Sequence, residues 1–332
     1  MLDEIYLRLL VELIPGTVKF TQLDIKRLID QFNEGTRAKA AYAEIIKAVY
    51  NDNPDSNIGL AFGKHLHPST LCDLSRTLMT TDTFQQMIKL VELYHFTHGV
   101  SYFPSTHHQP GSFSIALTYP YKVHTNLYQR RFCGEAVFSY ITNSLHEIVA
   151  SHLQPTEVCF DFPEPSYSDE YACWQCPVKF EQPLSLIRFE DGFFQQNLIT
   201  RNEVLHPIYL NKCLDGWRKS ERLHELEYRA ISLMMQHHPH AFNSEQLANS
   251  LNISVRGLQK RLSKQGESFS HLANLARREL SKVYLFQKGH DTEFTAEQLG
   301  FQSSSGFRRF FKQEFQLTPA EYRKTFSTEV AD

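Results

Sequence analysis

The chain has 332 residues, 42% of them hydrophobic, and a formal net charge of -3. This length favours two globular domains, each with enough apolar surface for its own core. The overall negative charge excludes a uniformly basic nucleic-acid binder, so charge carries meaning only when divided by region.

The opening segment, MLDEIYLRLLVELIPG, has no basic leader, and Asp3, Glu4, Arg8 and Glu12 break its apolar positions. It does not read as a signal peptide. No stretch reaches the roughly 18 uninterrupted apolar residues of a membrane span. The six cysteines read as reduced thiols. A cytoplasmic location without membrane contact is expected.

Residues 1–97 are predicted to be mostly helical. Ala40, Ala41, Ile45, Ala48 and Val49 lie near one helical stripe that Asn51, Asp52, Asn53 and Pro54 end. Asp82 or Thr83 is placed to cap a helix through Phe84, Met87, Ile88, Val91 and Tyr94. The period then changes. Phe113, Ile115, Leu117 and Tyr119 alternate with small or polar residues, which predicts a half-buried strand. A helix over 131–152 comes next, then strands around Val158, Phe160, Phe162 and around Leu186, Ile187, Phe189. This part is α+β. Pro207 and Gly216 interrupt the periodicity, which divides the chain into a domain over 1–206, a linker over 207–221 and an all-α domain over 222–332.

The last domain contains an internal duplication. Ala248, Leu251, Ile253, Leu258 and Leu262 recur as Ala296, Leu299, Phe301, Phe307 and Phe311, displaced by 48 residues up to a turn and 49 beyond it. Each copy reads as a short helix, a tight turn and a second helix, with Asn243 or Ser244 capping the first and Gln246 completing a capping box with Asn243. Gly300 and Phe301 form the second turn, and Pro319 suits the first position of a closing helix.

The charge split tracks the duplication. Residues 222–332 carry a net +3 against -6 for the remainder, and within 254–288 eight basic residues face only Glu267 and Glu279. At about 100° per residue, Val255, Leu258 and Leu262 share one helical face. Arg256, Lys260, Ser263 and Lys264 share the other, with Gln259 at its edge. In the second copy Phe307, Phe310 and Phe311 point inward, and Ser304, Ser305, Arg308, Arg309 and Lys312 outward. Such a helix suits a DNA major groove: Arg and Lys match guanine O6/N7, Gln matches adenine N6/N7, Ser serves either base, and edge lysines match phosphate. The 19 residues 270–288 are predicted to form a connecting helix, about 28 Å long at about 1.5 Å per residue. Neighbouring major-groove faces are about 34 Å apart, so one chain could place both recognition helices on double-stranded DNA.

The stretches SVRGLQKRLSKQG, ANLARRELSKVYL and QLGFQSSSGFRRFFKQEFQLTPAEYR resemble the DNA-binding domain of the AraC/XylS family of bacterial transcription regulators. The resemblance implies base-contacting roles for Arg256, Gln259 and Lys260, and for Ser304, Ser305, Arg308 and Arg309. Gly306 stands where the family usually has a side chain, and Gln316 replaces a common glycine before Thr318-Pro319, so Gln316 is expected to adopt an unusual backbone conformation. FDFPEPSYSDEYACWQCPVKFEQPLSLIRFEDGFFQQNL and HPSTLCDLSRTLMTTDTFQQMIKLVELY resemble the effector domain of the ornithine-regulator-like subgroup. That likeness implies a small-molecule sensor, and no close likeness to the cupin-type arm domain supports sugar binding. The expected function is a transcription regulator, an activator in most of the family, with RNA polymerase and a homodimer partner among its expected contacts.

Alternatives stay open at this level. Cys173-Trp174-Gln175-Cys176 imitates a thiol-disulfide redox motif, but it leads into a strand at 178–180 instead of opening a helix. A sensor acting mainly through protein contacts is a further reading. His237, His238 and His240 sit at a helix end, and His65, His67, His107 and His108 read as surface or packing residues, so no metal site is expected. No phosphate-binding glycine loop or nucleophile elbow appears, and neither a cofactor nor enzymatic activity is expected. Arg130, Arg131, Tyr102 and His124 are candidates for anchoring an effector carboxylate.

Overall fold

A computed structural model describes residues 9–13, 38–67, 73–94, 102–120, 126–149, 153–221, 226–237 and 242–326. Helices α1 (Ala38–Asp52), α2 (Ile58–His65), α3 (Asp73–Met79) and α4 (Phe84–Tyr94) precede strands β1 (Phe103–Gln109) and β2 (Ser112–Thr118). Thr83, rather than Asp82, caps α4, its hydroxyl accepting from the Gln86 backbone N–H at 3.3 Å. After the β1–β2 hairpin come α5 (Leu127–Ile148), β3 (Glu157–Cys159), a 3-10 helix (Ser168–Trp174), β4 (Val178–Lys179) and β5 (Ser185–Phe189). The sheet order is β1-β2-β5-β3-β4, antiparallel except for the β3–β4 pair. Strand β1 is unexpected, because FPSTHHQ lacks alternation. It lies at the sheet edge, where Pro104 can be accommodated without its missing N–H breaking a ladder.

One face of the sheet presents Phe113, Ile115, Leu117, Val158, Ile187 and Phe189 to Phe84, Ile88, Phe138 and Phe160 of the N-terminal core. Helix α2 lies close against α5, where a Cβ at Gly63 would come within 2.3 Å of the Ala136 carbonyl. Behind this contact Glu135 is buried, accepting from the hydroxyls of Tyr167 and Tyr171 at 2.6 Å each. Burial raises the Glu135 carboxyl above its ordinary range despite these donors and Arg131.

The expectation of a half-buried β2 needs correction. Ser114 is 1% exposed and Ala116 and Thr118 are 0% exposed, so both faces of the strand are covered. The small residues that mimic a solvent face admit a helix of the C-terminal part. The break in periodicity over 207–221 is also no break in structure: α6 (Leu205–Glu221) runs through it. Pro207 falls in the first turn, where the missing N–H has no intrahelical partner to lose.

The C-terminal part consists of α7 (Leu226–His237), α8 (Ser244–Ser250), α9 (Val255–Lys264), α10 (Phe269–Lys282), a π-helix (Val283–Gln287), α11 (Thr292–Gln298), α12 (Ser304–Phe315) and α13 (Pro319–Phe326). The connecting helix thus begins at Phe269, capped by Ser268, and its final turn widens into the π form. It divides two apolar clusters. Leu247, Ala248, Leu258, Leu262, Leu272 and Ala276 belong to the first, and Leu280, Tyr284, Leu299, Phe307, Phe311 and Tyr322 to the second.

Gln316 ends α12 at φ +60°, the left-handed conformation anticipated from its place in the turn. A side chain there costs roughly 1–2 kcal/mol relative to glycine. Gln316→Gly is therefore expected to raise thermal stability by about 1 kcal/mol, or about 1–3 °C in Tm for a chain of this size. The partial offset is the lost Gln316 Nε2 donation to the Gln313 carbonyl at 3.0 Å. Calorimetry that showed a lower Tm would mean that this hydrogen bond outweighs the backbone strain.

Candidate nucleic-acid interface

The two helix pairs share one hydrogen-bond framework. In the first, the Asn243 side chain accepts from Gln246 N–H at 2.8 Å, and the Gln246 side chain accepts from Asn243 N–H at 2.8 Å. In the second, Asp291 accepts from Phe294 N–H at 2.7 Å. The turns close through Ile253 N–H to the Ala248 carbonyl at 3.0 Å and Phe301 N–H to the Ala296 carbonyl at 2.9 Å. Asn252 at φ +56° and Gly300 at φ +75° occupy the same left-handed position, which short polar side chains and glycine tolerate best. The extra residue of the second turn is Gln302, after which Ser254 and Ser303 cap the second helices by accepting from Gly257 and Gly306 N–H. Gly306 therefore has a glycine counterpart in the first unit.

This framework aligns the outward positions pairwise. Arg256 corresponds to Ser305, Gln259 to Arg308, Lys260 to Arg309 and Ser263 to Lys312. Arg256, Gln259, Lys260, Ser305, Arg308, Arg309 and Lys312 are exposed, and Ser304 is half-buried at the start of α12. On the opposite faces Leu258, Leu262, Phe307 and Phe311 are buried. The units differ in charge pairing. Arg308 Nη2 donates to Glu293 Oε1 at 2.8 Å across the second unit, whereas Gln259, at the matching place in the first, is neutral. Sequence reasoning passed over Glu293, although Glu245 stands 48 positions before it at the same point of the duplication.

The local basic excess over 254–288 overstates the positive charge of this face. Arg277 donates to the Leu299 carbonyl at 3.0 Å and lies over the Phe301 ring at 5.2 Å. Arg278 pairs with Glu314 at 3.8 Å, and Lys282 with Glu279 at 2.7 Å. Lys288 lies over Tyr284, and burial lowers its pKa. These cations brace the connecting helix. Arg256, Lys260, Arg261 and Lys264 of α9 are the ones turned to solvent.

The competing motifs occupy other settings. Cys173 is exposed near the end of the 3-10 helix, Gln175 turns the chain at φ +54°, and Cys176 is half-buried beside β4. Burial raises both thiols, Cys176 to about 11, so neither has the depressed pKa of a redox nucleophile. His67 pairs with Glu147 at 2.7 Å, and His108 pairs with Asp191 at 3.1 Å while stacking on Phe194 at 3.9 Å. His65 Nδ1 is 2.8 Å from the Ala61 carbonyl oxygen, and His107 Nε2 is 3.3 Å from Gln109 Oε1. His237 ends α7, while His124, His238 and His240 lie outside the described residues. Among the described residues no three His, Cys, Asp or Glu side chains form a group able to hold a metal ion. Likewise, no helix among them is long and apolar enough to cross a membrane.

Two of the effector-anchoring candidates, Arg130 and Arg131, are already engaged by protein groups. Arg130 is engaged by Asp161 at 2.9 Å. Arg131 donates to the Tyr167 hydroxyl at 2.8 Å and to the Pro54 carbonyl at 2.8 Å. Tyr102 packs at the edge of the N-terminal core, and burial raises its pKa.

Residues 20–198 match the family described as the arabinose-binding domain of AraC transcription regulator, N-terminal, and residues 247–325 match a helix-turn-helix domain. A curated relative, the ornithine utilization regulator of Pseudomonas aeruginosa, is 24% identical over 194 residues, 58% of this chain. The match spans 57% of that relative's length. Among solved structures, the transcriptional regulator CdpR from Pseudomonas aeruginosa is similar over 98% of this chain and 99% of that chain, with 15% identity and a TM-score of 0.49. The DNA-binding transcriptional dual regulator from Escherichia coli K-12 covers 31% of this chain and 94% of its own, with 22% identity and a TM-score of 0.30.

Proposed function

Because the chain belongs to the AraC family of transcription regulators, we propose that it is a cytoplasmic, sequence-specific DNA-binding activator controlled by a small molecule. The observation that carries this reading is the repetition of one capped helix-turn-helix framework with an exposed polar and basic face on each second helix. In this proposal Arg256, Gln259 and Lys260 read bases from the first unit. Ser304, Ser305, Arg308 and Arg309 do so from the second, and Lys312 contacts phosphate. The N-terminal domain holds the effector, whose binding shifts the population of states that differ in dimerisation or in contact with the DNA-binding domain. RNA polymerase and a second copy of the chain are the proposed protein partners.

Footprinting on DNA upstream of the chain's own gene tests the reading. A discrete protected site covering two successive major-groove segments is the expected result, and uniform weak protection at physiological salt would favour a protein-contact sensor instead.

The Glu293–Arg308 pair adds a second expectation. It is an exposed pair, so its direct contribution to stability is small. Glu293→Gln removes a negative charge beside the proposed groove and frees Arg308. Binding to mixed-sequence DNA is expected to strengthen by about two- to tenfold at low salt, while discrimination for a site that the wild type selects from a random-sequence pool narrows. Unchanged affinity for both DNAs in fluorescence anisotropy would remove Glu293 from the interface.

A further inference from the structure

The second face of the N-terminal sheet is occupied by the connecting helix at its π turn. Val283 is buried against Ala116, Cys159, Leu184 and Leu186. Gln287 Nε2 reaches across two strands, donating to the Ser105 carbonyl at 2.8 Å and lying 3.3 Å from Ser114 Oγ. Earlier on the same helix, Glu279 Oε2 accepts from the Tyr119 backbone N–H at 3.2 Å and from Lys282 at 2.7 Å. Burial alone would raise the Glu279 carboxyl, but Lys282 and these donors hold it below its ordinary value, so it stays ionised at neutral pH. From the sheet edge, Phe103 enters the apolar cluster of the first helix-turn-helix unit.

The same helix grips both units. Leu272, Ala273 and Ala276 belong to the core of the first. Leu280, Tyr284 and Leu285 belong to that of the second, whose turn is held by Arg277. A π turn carries one more residue than an α turn and so rotates the downstream chain about the helix axis. Rewinding of Val283–Gln287 from the π to the α form would therefore alter the relative rotation of the two recognition helices. The docked sheet leaves the recognition faces open, since Arg256, Gln259, Lys260, Arg308 and Arg309 are exposed while it is in place.

We infer that the N-terminal sheet is a clamp on the connecting helix: it sets the spacing and rotation of the two recognition helices without covering their DNA-reading faces. The inference rests on the proposed DNA-binding function. It assigns Gln287, Val283 and Glu279 as positioning residues that themselves touch no DNA.

The test uses the full chain and two duplexes: a site selected by the wild type from a random-sequence pool, and the same site with five base pairs inserted between its half-sites. The insertion turns one half-site to the opposite side of the duplex. Wild type is expected to bind the inserted duplex at least about tenfold more weakly, because the two modules can no longer engage together. Gln287→Ala with Val283→Asp is expected to speed hydrogen exchange at the Tyr119 amide and to reduce the spacing preference to about twofold or less. Should the double variant fail to fold, Gln287→Ala alone gives the same two readouts. Faster exchange at Tyr119 with an intact spacing preference overturns the clamp, and so does unchanged exchange, because the named side chains would then not hold the domains together. If wild type enriches no sequence from the pool, the DNA-reading assignment itself fails and the clamp falls with it, an outcome distinct from the other two.

Discussion

Arg256→Ala is expected to weaken binding to the selected DNA by about 1–3 kcal/mol, roughly 5- to 150-fold, and to relax base preference at one position of the site. The side chain projects from the second position of α9, just after the Ser254 cap, where a recognition helix first meets the groove. Arg308→Ala is expected to act in the same direction but toward the lower end of that range. Its guanidinium already donates to Glu293 at 2.8 Å, so part of the DNA contact replaces an existing hydrogen bond. The two positions lie in separate units, and their effects should add if both units engage. Gel shift with base-substituted duplexes separates base reading from general attraction, because losing a phosphate contact weakens all sequences alike. Two variants that footprint like the wild type would refute the assignment of both recognition helices.

The largest stability effect is expected at Phe311, a fully buried ring at the centre of the second unit. It packs within 5.6 Å of Phe307, 4.4 Å of Phe315 and 5.1 Å of Tyr322, ring centre to ring centre. Phe311→Ala removes most of that volume at once, at a cost of about 3–5 kcal/mol from lost burial and residual cavity. A typical domain has about 5–15 kcal/mol in total, so the second unit should open well before the rest. Hydrogen exchange should show lost protection across α11–α13 first, with α8 and α9 affected later and only where the connecting helix transmits the loss. A loss below about 1 kcal/mol would mean that the aromatic cluster closes over the gap.

The DNA-reading unit was legible because its signals are local. Asn243 with Gln246, Gly300 in its turn, Pro319 opening the last helix and the apolar positions of α9 and α12 all act within one or two helical turns. Capping, left-handed turn positions and a 3.6-residue period need no distant partner to be recognised. The duplication strengthened each reading by stating it twice. The basic count misled for the opposite reason, since composition assigns Arg277, Arg278, Lys282 and Lys288 a charge but no direction.

By itself the sequence determined two helix-turn-helix units in tandem, their inward and outward faces, an α+β domain before them and the left-handed strain at Gln316. Those properties arise from side-chain size, periodicity and backbone preference along a continuous stretch of chain. Only the tertiary structure decided that the edge strand β1 exists, that α6 continues past Pro207, and that the small residues of β2 face a helix instead of water. It also decided that Glu279 and Gln287 tie the two domains together, through bonds to Tyr119 and Ser105 that join residues 160 and 182 positions apart. A buried polar side chain is stable only where its partner arrives, and that arrival is a property of the folded chain.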